Sequence, residues 1–300
     1  MKKNAALVVA LGFLAACGEQ EHVREPQTPQ EMYERVRELL QPNVEHDASE
    51  FSEAMMWLRR AAEGGLLQAQ TDLGGIYLEG GKNGEKPDGK EAYYWFSKAA
   101  EQGSREALYY MGLILHRGMN MPKDEAKARG FWLQAAEKGV AEAQFALGIA
   151  LAREAATTRQ GVQWLTQAAA APIPKLAAQA ACALGNIYAT GKNGIAQDMP
   201  EAARWYEIAA RGGEASAQLV YAIMLLQGEP VAQDTQQGMQ FLRMAAGQDS
   251  PQAIALLVNL LRNGDAAEEN EQEANAWMDR LDALQRKAAA PANGARSARE

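Results

Sequence analysis

A pair of adjacent alanines returns along this chain: Ala61-Ala62, Ala99-Ala100, Ala135-Ala136, Ala168-Ala169, Ala209-Ala210 and Ala245-Ala246, with Leu281 standing where a seventh would begin. Subtracting successive first positions gives intervals of 38, 36, 33, 41, 36 and 36 residues. An aromatic residue precedes each by four positions: Trp57, Trp95, Phe131, Trp164, Trp205, Phe241 and Trp277. A further alanine follows each pair (Ala69, Ala107, Ala143, Ala180, Ala217, Ala253), eight positions after the first alanine or, in one unit, four more than that. Self-similarity at this period marks a stack of two-element units, each of which buries its apolar face only against its neighbours. The 300 residues therefore read as one extended array rather than as two or three separate globules.

Each unit reads as two helices. In the first, the leading alanine is followed by apolar residues on one helical face, as Leu73, Ile76 and Tyr77 follow Ala69 and Met111, Ile114 and Leu115 follow Ala107. Gly80, Gly118, Gly191, Gly228 and Gly264 close most of these helices, where a left-handed residue is wanted past the last turn. The second helix opens on a good N-cap eleven residues before the paired alanine: Asp88, Asp124, Thr157, Asp198, Asp234 or Asn270. Three residues later come Glu91, Gln160, Glu201, Gln237 and Glu273, which predicts five reciprocal capping boxes; Lys127 breaks the sixth. Trp95 and Trp205 are expected in the core, shared between units.

The recurring A-x-x-x-L-G-x-x-Y-x-x-G, the acidic cap and the closing K-A-A-x-x-G resemble the Sel-one-like repeat family, a relative of the tetratricopeptide repeats. The match is best at 69–80 with 88–103 and at 180–191 with 198–212. The resemblance implies an all-α fold, an α/α superhelical solenoid of helix-pair repeats. Departures are local: 150–157 lacks the glycine loop, Ala222 and Val258 replace the glycine of the first helix, and Pro-Ile-Pro-Lys lengthens the fourth unit. The expected layout is a lipoprotein signal peptide at 1–16, a flexible tether at 17–30 and an N-terminal capping helix at 31–50. An array of about five to six repeats then spans 51–287, with a disordered tail at 288–300.

The chain opens with Lys2 and Lys3 and an apolar run to Ala16, too short to span a membrane. Leu14-Ala15-Ala16-Cys17-Gly18 resembles the lipobox of bacterial lipoprotein precursors. That resemblance implies acylation of Cys17 and, with Gly18 rather than aspartate next, attachment to the outer membrane facing the periplasm. An ordinary signal peptide with a coincidental cysteine is the alternative. Cys182 lies in an alanine-rich helix and reads as a small buried hydrophobe.

A net charge of -8 without a basic stripe speaks against nucleic acid. His22, His46 and His116 are too scattered for a catalytic or zinc arrangement. The loops Gly81-Lys82-Asn83-Gly84 and Gly191-Lys192-Asn193-Gly194 lack the end of a P-loop and read as turns. The acidic stretch 264–275 lacks calcium-loop spacing. No catalytic, metal or cofactor residues are assigned. The function class is a non-enzymatic protein-interaction scaffold, with an enzyme as a remote alternative. It is either an adaptor organising envelope or secretion components, or an immunity protein that captures a toxin, such as a secreted phospholipase, entering the periplasm. Resemblance to tetratricopeptide-like superhelices implies that first helices line a concave groove holding a protein partner. One flank of those helices supplies the candidate contacts Asp72, Glu79, Tyr110, Leu113, Arg117, Ile149, Arg153, Asn186, Gln227 and Asn259. Tyr110 and the two arginines are the expected anchors; Leu113 and Ile149 could equally be extra core. The sequence leaves oligomeric state open.

Overall fold

A computed structural model describes residues 25–41, 47–80, 86–191, 193–264 and 270–289. The signal peptide, Cys17, His22, His46, the 81–84 loop, Lys192, the acidic residues 265–269 and the tail from 290 lie outside the described residues. Every regular element among the described residues is an α-helix, as the all-α reading requires. The chain divides into two compact units, Met1–Ala69 and Gln70–Glu300.

The first unit is a hairpin of α1 (Pro29–Leu39) on α2 (Ala48–Glu63). Both open on complete capping boxes: Thr28 accepts the amide of Glu31, Asp47 that of Glu50, and each glutamate reaches back to the cap amide. Because Thr28 and Asp47 are the caps, α1 starts before residue 31 and α2 before residue 51, earlier than the sequence pattern suggests. Ala54, Trp57, Leu58, Ala61 and Ala62 form the buried stripe of α2.

Helix α3 (Leu67–Glu79) crosses the division and opens the second unit, in which α4 (Gly89–Glu101), α5 (Arg105–Arg117), α6 (Glu125–Glu137) and α7 (Ala141–Ala152) follow. After them come α8 (Thr158–Ala169), α9 (Pro174–Thr190), α10 (Met199–Arg211), α11 (Ala215–Gln227), α12 (Thr235–Gly247), α13 (Pro251–Asn263) and α14 (Glu271–Ala289). From α4 to α13 each helix packs on the next, and α13 on α14, while α7 also touches α9; contacts stay between helices close in the chain, as in a solenoid. Gly80, Gly118, Gly191, Gly228 and Gly264 all take positive φ, between 59° and 86°. Unit by unit, the predicted stops are where the chain turns.

The predicted starts differ in an informative way. Asp88, Asp124, Asp198, Asp234 and Asn270 each accept the backbone amide three residues on. The return arm of the expected boxes is absent from the described bonds of α4, α10 and α12. The reason is tertiary. The cap amide is already donated to the preceding helix: Asp88 to Tyr77 O, Asp124 to Leu115 O, Asp198 to Tyr188 O, Asp234 to Leu225 O, and Asn270 to Leu261 O. One bond thus pins each second helix to its partner and leaves the N3 side chain free for other work. Glu273 uses its freedom to accept from the Trp277 indole at 3.3 Å and to pair with Arg243 at 2.8 Å. Thr157 departs furthest. Its side chain caps nothing; its hydroxyl instead donates to Leu151 O at 2.7 Å, standing in for the amide used elsewhere.

The paired alanines behave as expected, with Ala99, Ala135, Ala168, Ala209 and Ala245 fully buried. The aromatic position is less uniform: Trp95 and Phe241 are buried, but Trp205, expected in the core, is half-buried, as are Phe131, Trp164 and Trp277. The deepest position is one residue later, at Phe96, Trp132, Leu165, Tyr206 and Leu242. These side chains press on the glycine of the first helix. A Cβ on Gly74 would stand 2.9 Å from the Phe96 ring, on Gly112 2.5 Å from the Trp132 indole nitrogen, and on Gly185 2.8 Å from the Tyr206 ring. Where Ala222 replaces that glycine, Leu242 replaces the aromatic, and both are fully buried in one cluster. Buried amides stitch consecutive units: Gln218 donates to Ala210 O at 3.2 Å and accepts from Gln248 at 2.8 Å.

Candidate functional site

The second unit holds a cavity of about 400 Å³ between α5, α7 and the first turn of α9, with Trp132 of α6 in its wall. Its apolar surface comes from Tyr109, Leu113, Trp132, Phe145, Ala146, Ile149 and Leu176; its polar rim comes from His116, Arg117, Glu142, Arg153 and Gln179. The size and the mix of apolar wall and few polar groups fit a binding pocket.

The cavity sits where the repeat is least regular. After α7 the chain has no glycine loop; Arg153 is right-handed (φ -75°) and a short link leads directly into α8. The Pro-Ile-Pro-Lys insertion adds a turn to the front of α9, which starts at Pro174 and is 17 residues long. That extra turn carries Leu176 to the cavity. Of the loop read as a turn, Gly191, Asn193 and Gly194 all take positive φ, with Asn193 at φ 60°. It also reaches back one repeat, since the Asn193 amide donates to Ala152 O at 3.1 Å and Arg153 O at 3.3 Å, which fixes the backbone that carries Arg153.

Trp132 is held from two sides. Gly112 leaves room for its ring, and its indole N–H donates to Tyr109 O at 3.2 Å. His116 lies with its ring centroid 5.3 Å from that of Trp132 and its Nδ1 2.9 Å from Glu125 Oε2. Burial pushes the Tyr109 hydroxyl up, Tyr110 and Glu142 add to the shift, and Arg117 opposes it. Tyr109 is therefore a neutral donor at the pocket wall across the physiological range. Arg129 pairs with Glu154 at 2.6 Å and holds that carboxyl below its usual range. No ion pair is found for Arg117 or Arg153 among the described residues, and both are exposed.

Four of the candidate contacts, Leu113, Arg117, Ile149 and Arg153, line this one cavity. Tyr110 does not. It stacks on Phe96 at 4.8 Å, and Tyr109 occupies the cavity wall in its place. One residue is 100° of helical rotation, enough to turn a side chain from the pocket to the core seam. Asn186 is exposed and accepts the Tyr206 hydroxyl at 2.8 Å; Asn259 is exposed and accepts from Asn263 at 2.6 Å. Asp72 is half-buried, and Glu79 and Gln227 are exposed; none of these lines the cavity. The residues missed, Tyr109, Phe145 and Trp132, share a signal: large aromatics on the flank beside the leading alanine, or immediately after the aromatic of the second helix. Cys182 is buried, with its sulfur 3.5 Å from Ser216 Oγ, and burial pushes the thiol pKa up. Among the described residues no group of three or more His, Cys, Asp or Glu is placed to hold a metal ion.

Six segments of the chain, 43–66, 67–104, 105–140, 141–172, 178–214 and 215–250, match the Sel1 repeat model. The structure is similar to that of a protective antigen of uropathogenic Escherichia coli displaying an SLR fold, with a TM-score of 0.73 and 27% identity over 85% of this chain and 54% of that one. A Sel1 repeat protein from Oxalobacter formigenes is similar at a TM-score of 0.66 and 29% identity, covering 86% of this chain and 73% of that one. In sequence the chain is 26% identical over 274 residues to a chitin synthase regulator of Saccharomyces cerevisiae, covering 76% of this chain. It spans 39% of that regulator's length.

Proposed function

Because this chain belongs to the Sel1 repeat family, whose members are in general non-catalytic protein-interaction scaffolds, we propose that it captures a protein segment in the cavity between α5, α7 and α9. In this reading it does so from the periplasmic face of an outer membrane, to which lipid on Cys17 ties it. The observation that carries the binding half is the convergence of Tyr109, Trp132 and Phe145 with Arg117 and Arg153 around one opening. Aromatics and arginine dominate the energetics of protein interfaces because they combine large buried area with directed hydrogen bonds. A rigid, pre-formed wall also lowers the ordering cost of association. The lipobox-like Leu14–Gly18 supports the location.

The test places a photoreactive phenylalanine analogue at Phe145, in the cavity, and at Gln240, on a separate surface formed by α12. Cells producing the full chain are irradiated and adducts are resolved by mass. The expected result is a discrete adduct from position 145, lost when Tyr109→Ala is added and absent from position 240. Adducts from 240 alone would overturn the assignment of the cavity.

A further inference from the structure

The cavity is charged unevenly. Glu142 lies in the first turn of α7 and Arg153 just past its last, about 16 Å apart at 1.5 Å per residue. Arg117 closes α5 and lines the same cavity as Arg153. Acidic residues outnumber basic ones in this chain, 38 to 30, and most of its other arginine contacts are to acids: Arg105 to Glu106, Arg211 to Glu207, Arg243 to Glu273 and Arg280 to Asp249. Two carboxylates of the same repeats are engaged elsewhere. Glu154 holds Arg129, and Glu125 holds His116. Two exposed guanidiniums on consecutive repeats thus line the pocket with no ion-pair partner among the described residues, together with the apolar Trp132, Phe145 and Ile149.

Resting on the scaffold reading, we propose that the cavity recognises an extended peptide segment in which a bulky apolar residue is flanked by two acidic side chains, the apolar group on Trp132 and Phe145 and the carboxylates on Arg117 and Arg153. Each guanidinium offers a bidentate fork to one carboxylate, so two arginines on two helices call for two carboxylates rather than for a single chain terminus. The two arginines close the first helices of consecutive repeats, and a four-residue core with an acid at each end sets its outer Cα atoms roughly 10 Å apart when extended. Glu142 at the far end repels a third acid and orients the segment.

The experiment uses the full chain and fluorescein-labelled, end-blocked peptides with the core Glu-Leu-Phe-Glu, read by fluorescence anisotropy at low and high salt. The expected result is saturable binding that weakens with salt. It should weaken at least about tenfold for the Gln-Leu-Phe-Gln peptide, the scale of lost charge-assisted hydrogen bonds. Arg117→Ala with Arg153→Ala should lose the same amount and no longer distinguish the two peptides, with an unchanged circular dichroism spectrum. Serine in place of leucine and phenylalanine should also abolish binding. Equal affinity for the Glu and Gln peptides overturns the proposal. So does tighter binding of a Leu-Phe peptide that has no acidic side chains but a free C-terminus, or no binding up to roughly millimolar peptide. If peptides fail while position 145 still gives its adduct in cells, the acidic-segment proposal falls and the scaffold reading stands; loss of both would remove the reading beneath it.

Discussion

Gly112 and Gly130 stand on neighbouring helices, α5 and α6, yet alanine should act on them with opposite sign. Both are interior helix positions, where alanine is favoured over glycine by about 0.8–1 kcal/mol. At Gly130 an added Cβ meets nothing within 4 Å, so Gly130→Ala should stabilise by up to about that amount. At Gly112 the same atom would stand 2.5 Å and 2.6 Å from the indole Nε1 and Cδ1 of Trp132 and 3.0 Å from Ala128 O. A rigid ring 3% exposed cannot step aside cheaply, and such overpacking costs about 1–3 kcal/mol. Moving the ring also endangers its 3.2 Å bond to Tyr109 O, worth about 0.5–1.5 kcal/mol. Subtracting the helix-propensity gain leaves a net loss of about 0.5–3.7 kcal/mol. For a unit of this size each kcal/mol moves the thermal midpoint by about 2–4 °C. Thermal unfolding followed at 222 nm should therefore place Gly112→Ala several degrees below wild type and Gly130→Ala slightly above it. Near-UV circular dichroism should change only for Gly112→Ala, because Trp132 moves. If both variants shift upward together, Trp132 is not seated on Gly112 and the cavity wall is wrongly drawn.

Thr157→Val removes the hydroxyl that bonds Leu151 O at 2.7 Å and should cost about 0.5–1.5 kcal/mol in urea unfolding; Thr157→Ser should stay near wild type, and an equal loss in both would show that the hydroxyl is not what matters. Burial, with a smaller contribution from Cys182, pushes the Tyr206 hydroxyl up to about 12. Since this folded value exceeds the unfolded value of about 10, its stabilisation is complete below about pH 10 and is lost as pH rises toward 12. Absorbance titration at 295 nm should show one late-ionising tyrosine that disappears in Tyr206→Phe; ionisation with the exposed tyrosines would contradict its burial. Labelled fatty acid should enter the wild-type chain and not Cys17→Ser, whose protein should leave the membrane fraction; a Cys17→Ser protein that still sediments with outer membrane would end the anchoring proposal.

The chain's local pattern determined its helices. Side-chain direction in a helix follows from spacing alone, so the face carrying Ala107, Met111 and Ile114 could be read directly, as could the aspartate caps and left-handed glycines that bound each pair. Burial of the paired alanines followed too, because stacked helices need small residues at close approach. Tertiary packing decided what the pattern left open. The cap amides of Asp88, Asp124, Asp198 and Asp234 went to the preceding helix rather than to a side chain within their own, since a carbonyl fixed by packing lies within reach. Tyr109, not Tyr110, reached the pocket, because the choice between adjacent residues depends on how neighbouring helices are spaced, and spacing is not written in either helix. The pocket itself exists where the repeat breaks: the short link after Arg153 and the extra turn before Ala178 bring α5, α7 and α9 around one space. Periodicity encodes what units share, and the site arises from what two of them do not, a difference whose consequence appears only when the helices are stacked.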